Sequence, residues 1–296
     1  MSTQNPLAVM SPGYKRRRRF GRVMEALASF AALVAIAVLL IVIFTVARRG
    51  LPALNKDLFT NVTSTIGVPG QTGGIKNAII GTVIITLIAT AISLPVGVLI
   101  AIFNSEFAPG HLAASIRIAL NVLAGVPTIV IGVFIYGLIV IVYGYSAYAA
   151  AVALAVVQVP IVARSAEEVL LLVPTSLREA GMALGATKAR TVVTVILPTA
   201  VSGIVTGTIV AVARAAGETA PLLFTTSLFA NAVVTDPTHP MATIPIVIFQ
   251  SSESPSPQDQ QVAWAAALVL LAVVLLGSIM GRLLSLRARR RIEQTR

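Results

Sequence analysis

The chain has no cysteine, two histidines and eleven acidic residues among 296. Without thiols there is no disulfide framework, thiolate metal site or cysteine nucleophile. His111 and His239 lie in separate loops, predicted on opposite sides of a membrane, so they cannot make a zinc site together. No Gly-x-x-x-x-Gly-Lys-Ser/Thr run occurs, which removes the backbone cradle and lysine of a phosphate-binding loop. The chain is therefore not expected to be an ATPase or to carry a cofactor, and work driven by ATP would need hydrolysis on another polypeptide. Charged residues are also scarce, at 11%, where soluble domains carry roughly 25%. Hydrophobic residues make up 56% of the chain, whose mean hydropathy is +0.91. A soluble core of this length could not hide so much apolar surface, and the expected environment is a lipid bilayer.

Apolar runs near 23–47, 78–103, 119–143, 147–172, 200–224 and 263–285 each approach the roughly 20 residues that cross hydrocarbon. Six spans and an all-α integral membrane fold follow. Lys15 to Arg19 precede the first run, which lacks a small-residue cleavage site and reads as a retained anchor. The basic residues set the orientation. With the amino terminus inside, residues 15–19, 22, 117, 164, 178, 188, 190, 282, 287, 289–291 and 296 face the cytoplasm. Only Arg48, Arg49, Lys56 and Lys76 face outward, and Arg214 falls within a span. Both termini are expected in the cytoplasm of a multi-pass protein. The net charge of +11 is mostly topological information plus affinity for anionic headgroups. Because the basic clusters flank spans without interleaved aromatics, nucleic acid is not an expected partner.

The organisation read from the sequence is a basic cytoplasmic tail (1–20), a first span with its outer loop (21–74), a transmembrane domain (75–285) and a second basic tail (286–296). Within 225–262, the run Ile244–Phe249 is too short to cross and is expected to lie in the interface or pack on the bundle.

One cytoplasmic loop, 173–199, is too polar to cross. Its residues 178–190 favour helix, with Glu179, Ala180, Ala183 and Leu184 sharing a face and Gly185 ending the turn. Gly181 and Gly185 remove side chains where another surface could approach. This segment resembles the cytoplasmic coupling loop of permeases in bacterial importers of the ATP-binding-cassette (ABC) type, whose pattern is Glu-Ala-Ala, three residues, Gly, nine residues, Ile-x-Leu-Pro. Glu179, Ala180, Gly185, Leu197 and Pro198 fall in register, while Gly181 and Val195 depart from it. The resemblance implies that Glu179, Ala180, Gly181, Gly185, Leu197 and Pro198 dock an ATPase.

The second constellation is Arg214-Ala215-Ala216-Gly217-Glu218-Thr219-Ala220-Pro221. Ionisable residues inside a span face a cavity or each other, and Arg214 and Glu218, four apart, can pair. One reading is an ion pair that only neutralises itself. The other is a guanidinium offered to an oxyanion, with Glu218 restraining it, since a planar fork of donors suits phosphate. Arg164, Glu167 and Glu168 at the inner end of the fourth span read as an interfacial salt network, and secondly as a cytoplasmic gate. Pro127 and Gly125 read as pathway architecture.

The Arg-Ala-Ala-Gly-Glu-Thr-Ala-Pro stretch is similar to the fifth-span signature of permeases of the high-affinity phosphate ABC importer. Residues 73–82, 93–97, 125–132 and 164–168 agree with that family, and the likeness, closest to the second of its two related permeases, spans about 73–285. Ala189 stands where a Trp is expected. The resemblance implies a type I ABC importer permease fold in the bacterial inner membrane. It also implies a related second permease, two ATP-binding subunits holding ATP and Mg, and an extracytoplasmic phosphate-binding protein. A permease for sulfate or molybdate, an ion-coupled secondary transporter and a membrane signalling subunit are the alternatives.

Overall fold

The computed structural model describes residues 12–64, 73–226 and 232–294. The rest of the expected amino-terminal tail, and parts of the outer segments 48–74 and 225–262, lie outside the described residues. The chain divides into two compact units at Arg49 and Gly50. The first is one helix, α1 (Pro12–Gly50), about 58 Å long at 1.5 Å per residue. It begins within the segment read as a tail, and its apolar side chains, Phe20, Phe30 and Phe44 among them, are exposed.

The second unit opens with a 3₁₀ turn (Leu51–Ala53) and the short α2 (Lys56–Thr60), capped by Asn55 Oδ1 accepting from Leu58 N–H at 2.9 Å. Helix α3 (Lys76–Ile102) runs into a π-helical turn, Phe103–Phe107. Then come α4 (Gly110–Gly125), α5 (Thr128–Ile135), a second π turn (Tyr136–Val140) and α6 (Ile141–Tyr143). Helix α7 (Ala147–Leu171) leads to α8 (Thr175–Ala183) and α9 (Lys188–Thr191). A third π turn (Val192–Ile196) joins α9 to α10 (Leu197–Ala216), and α11 (Leu222–Thr225), α12 (Ile244–Glu253) and α13 (Pro257–Gln294) complete the order. No strand occurs among the described residues. The helix of α13 continues through most of the segment read as a second tail.

Five helices are long and apolar enough to cross a membrane, and α4 with α5 makes a sixth if counted as one broken span. Here the structure departs from the continuous span expected at 119–143. The two helices meet at 91°, because Pro127 lacks an N–H and holds Val126 extended, at φ −65 and ψ 129. The fifth span also differs: its helix stops at Ala216 instead of reaching 224. Ile244–Phe249 packs on the bundle, buried through Ile244, Pro245, Ile246 and Val247.

Helix α7 is the centre, with 67% of its most apolar window buried against 28% for α3 and 22% for α10. Alanines along it (Ala147, Ala150, Ala151, Ala155) let neighbours close in around Ile85, Ala89, Leu154 and Leu222. At the α8 end a second cluster joins Ala101, Ala166, Leu170, Val173, Val192, Ile196, Ala200 and Ile204. Close contacts fix the register. Ser93 bonds Gln158, Gly97 abuts Val162, and Asn104 bonds Glu167, so α3 runs parallel to α7 at a near-constant offset. Gly203 against Val169 and Gly207 against Ser165 set α10 antiparallel to α7. Pro95 and Pro160 interrupt the hydrogen-bond ladders of α3 and α7.

The first turn of α7 illustrates how loops complete the bundle. Its free N–H groups are met by Ser146 Oγ (from Ala149 N–H, 3.1 Å), His239 C=O (from Ala147 N–H, 3.0 Å) and Pro237 C=O (from Tyr148 N–H, 3.1 Å). Asp236 orders that loop by accepting from Thr238 N–H and Oγ1, which hold its carboxyl below the ordinary carboxylate range. A depressed value means that this contribution persists above the ordinary range and fades only as pH falls through the lower one.

Gly81 on α3 lies so close to the Ala242 carbonyl that a Cβ there would sit 2.0 Å from the oxygen. Gly81→Val is expected to destabilise the fold by about 1–3 kcal/mol or more, read as a lower melting temperature of the purified protein. An unchanged melting temperature would show that the α3 and 241–243 backbones separate freely.

Candidate functional site

The 173–199 loop folds as a helical hairpin. Helix α8 ends as the sequence predicts: Gly185 has φ +81, its N–H donates to Met182 C=O at 2.9 Å, and Ala186 N–H donates to Gly181 C=O at 3.3 Å. This is a Schellman termination, in which glycine takes the left-handed position at no steric cost. Glu179, Ala180, Ala183 and Leu184 are all exposed, Leu184 at 89%. With Leu177 and Met182, also exposed, Leu184 gives the hairpin several uncovered apolar side chains.

Other members of the predicted docking set point elsewhere. Gly181 turns inward, where a Cβ would meet Thr191 Cγ2 at 2.6 Å. The surface it admits is the chain's own α9. Leu197 packs against the cluster around Leu170 and Ile196, and Pro198 sits exposed just after the π turn, inside the continuous helix Lys188–Ala216.

The span ends beneath α8 carry two buried carboxylates. Glu167 accepts from Asn104 Nδ2 and from Arg117 Nε at 2.8 Å. Glu106, in the π turn closing α3, accepts from Arg178 Nε at 3.1 Å and Nη2 at 2.9 Å. The expected network of Arg164, Glu167 and Glu168 takes a different form. Glu167 is buried and paired with α4, while Arg164 and Glu168 are exposed and make no ion pair among the described residues. Positions 164, 167 and 168 share a helical face, but Glu167 at its edge is drawn inward by Asn104 and Arg117, and the sequence did not reveal Arg117 or Arg178 as partners 50 and 72 residues away from their carboxylates.

Arg214 lies in the last turn of α10, 65% exposed at its side chain, with Nε 3.9 Å from Glu218 Oε1. Glu218 is on the turn that follows, not on the same helix, and its N–H closes back on Ala215 C=O at 3.1 Å. At 3.9 Å, with Arg214 65% and Glu218 19% exposed, this is a loose ion pair, and the guanidinium makes no other ion pair among the described residues. The turn rests on α5: a Cβ on Gly132 would lie 2.7 Å from Pro221 Cα. The broken span and the Arg214 motif, read separately in the sequence, are thus one structure.

Below Arg214, on a stripe of α10 through Val210, Gly207 and Gly203, lies a cleft of about 320 Å³ shared with α7. Ser165, Ser202 and Thr206 bring hydroxyls to it. Continuing the antiparallel register of α10 and α7 brings Arg214 level with Gln158. Gln158 is fully buried; its Oε1 accepts from Ser93 Oγ at 2.6 Å, and its Nε2 has no partner among the described residues.

Five long apolar helices, a broken sixth and an exposed helical hairpin at one end define a polytopic membrane protein. Residues 93–290 match the family of binding-protein-dependent transport system inner membrane components. The chain belongs to that family. It is 39% identical over 270 residues to the phosphate transport system permease protein PstA of Yersinia pestis, with 90% of each chain covered. PstA of Pasteurella multocida is 40% identical over 244 residues, covering 82% of this chain and 86% of that one. A probable PstA from Methanocaldococcus jannaschii is 38% identical, covering 82% and 85%. Among solved structures, an inward-facing MetNI methionine ABC transporter superposes with TM-score 0.55 at 24% identity, over 73% of this chain and 94% of that chain. The fold is that of a type I ABC importer permease.

Proposed function

We propose that the chain is the permease subunit of an ATP-driven importer carrying inorganic phosphate across the bacterial cytoplasmic membrane. It would pair with a related permease, stand on two ATP-binding subunits and receive phosphate from an extracytoplasmic binding protein. The relatives named as phosphate permeases support the substrate, and the observation that carries it here is Arg214. An uncommitted guanidinium beside a hydroxyl-lined cleft supplies charge and donors to a tetrahedral oxyanion. Glu218 nearby keeps the site from holding the anion too tightly for release. The distribution of Lys and Arg supports a cytoplasmic position for α8 and both termini. There the exposed face of Glu179, Ala180, Ala183 and Leu184 would seat in an ATPase, whose closure on ATP moves the spans. No residue of this chain takes part in hydrolysis; ATP and Mg would be held by the partner subunits.

The test is uptake of radiolabelled phosphate, with sulfate in parallel, by cells lacking their own importer and expressing this chain with its partners. ATP-dependent phosphate uptake that sulfate does not match is the expected result. Uptake of sulfate instead would transfer the assignment to another oxyanion.

A further inference from the structure

Helix α8 touches the rest of the chain at few points. Of its nine residues only Arg178 and Gly181 are substantially covered, and Gly181 meets Thr191 within the same hairpin. Arg178 reaches the spans. Its Nε and Nη2 donate to Glu106 of the α3 π turn, whose side chain is 5% exposed. Its Nη2 also donates to Leu170 C=O at 2.8 Å, in the last turn of α7, and its Nη1 to Val173 C=O, just past that helix.

We infer that Arg178 is the positioning residue through which a displacement of α8 reaches α3 and α7 together. This rests on the reading of the 173–199 loop as the ATPase-docking loop. A guanidinium presents its donors in a rigid plane, so partners on two helices are held at fixed directions as well as fixed distances. The Glu167 cluster reinforces the junction. By accepting from Asn104 in the π turn that continues α3 and from Arg117 on α4, it ties both to α7 at the same end. Pulling α3 from α7 here would strand a buried carboxylate, which makes the three span ends one body with Arg178 as its handle. A further side-chain link from the hairpin, Lys188 Nζ 5.4 Å from the Phe107 ring centroid in the π turn after α3, lies between exposed residues and is a weaker restraint.

The experiment uses the whole importer in proteoliposomes, measuring phosphate delivered and ATP hydrolysed in the same sample. Arg178→Gln is expected to keep ATP hydrolysis in the assembled complex while phosphate delivered per ATP falls about tenfold or more, the scale of losing charge-assisted bonds. Arg178→Lys should recover part of the ratio, keeping the charge opposite Glu106 but not the fork to the carbonyls. Glu106→Gln keeps the bonds to Leu170 and Val173, and should lower the ratio without loss of assembly. An unchanged ratio in Arg178→Gln overturns the inference. If that variant does not assemble, a normal ratio in Glu106→Gln overturns it equally, reducing Arg178 to a cap for α7. Absence of ATP-driven phosphate uptake by the intact complex would instead remove the docking premise, a result distinguishable because no substitution is involved.

Discussion

Arg214→Gln is expected to abolish ATP-dependent phosphate uptake at matched membrane levels, with the loss in the transport step and not in folding. The side chain is 65% exposed and its contact with Glu218 is 3.9 Å long. Although Glu218 is 19% exposed, a contact of that length to an exposed guanidinium is a weak tie, so the substitution should change expression or melting temperature little. A charged hydrogen bond to an anion is worth about 1.5–3 kcal/mol net, hence a loss of roughly ten- to a hundred-fold for one bond and more for a fork. Glu218, left without its counter-charge, would add repulsion toward an incoming anion. Arg214→Lys should fall between, retaining the charge without the planar donors. Full uptake by the Gln variant would reduce Arg214 and Glu218 to a structural pair.

Glu179→Lys is expected to separate ATP hydrolysis from transport. Glu179 is exposed on the uncovered face of α8 and makes no ion pair within the described chain. Reversing its charge therefore removes nothing that holds this chain together, and membrane insertion should be normal. At a contact with an ATPase, truncating or reversing one partner of a charge pair costs about 2–5 kcal/mol. Phosphate uptake should drop by at least about tenfold on that scale, while the ATP-binding subunits keep their own nucleotide sites. Normal uptake with this variant would count heavily against the docking assignment.

Much of this was legible in advance because it depends on composition and short spacing. Long apolar runs announce spans wherever they fold, and Gly185 ends α8 because only glycine takes the left-handed position cheaply. The break at Val126 and Pro127 was half-legible. Proline predicts a kink, but a 91° turn depends on what the second arm packs against, here Pro221 and Phe224 beside Gly132. The end of α10 at Ala216 was signalled by Gly217, Glu218 and Pro221, but the apolar Leu222 to Phe224 beyond them extended the run. Least legible was the junction beneath α8. Glu106, Asn104, Arg117 and Arg178 each look like ordinary polar residues near a span end. Their pairing follows from the offset between α3 and α7, a property of packed alanine and glycine surfaces that no local motif encodes.

That offset has one more consequence. Pro95 and Pro160 differ by the same 65 positions that separate Ser93 from Gln158, so the two absent backbone donors lie at one depth. Two neighbouring rods with their soft joints in a common plane can flex in concert, with no slip along their shared seam. Were the joint removed from one rod alone, any curvature would appear as shear, and the 2.6 Å bond between Ser93 and Gln158 would be the first to feel it.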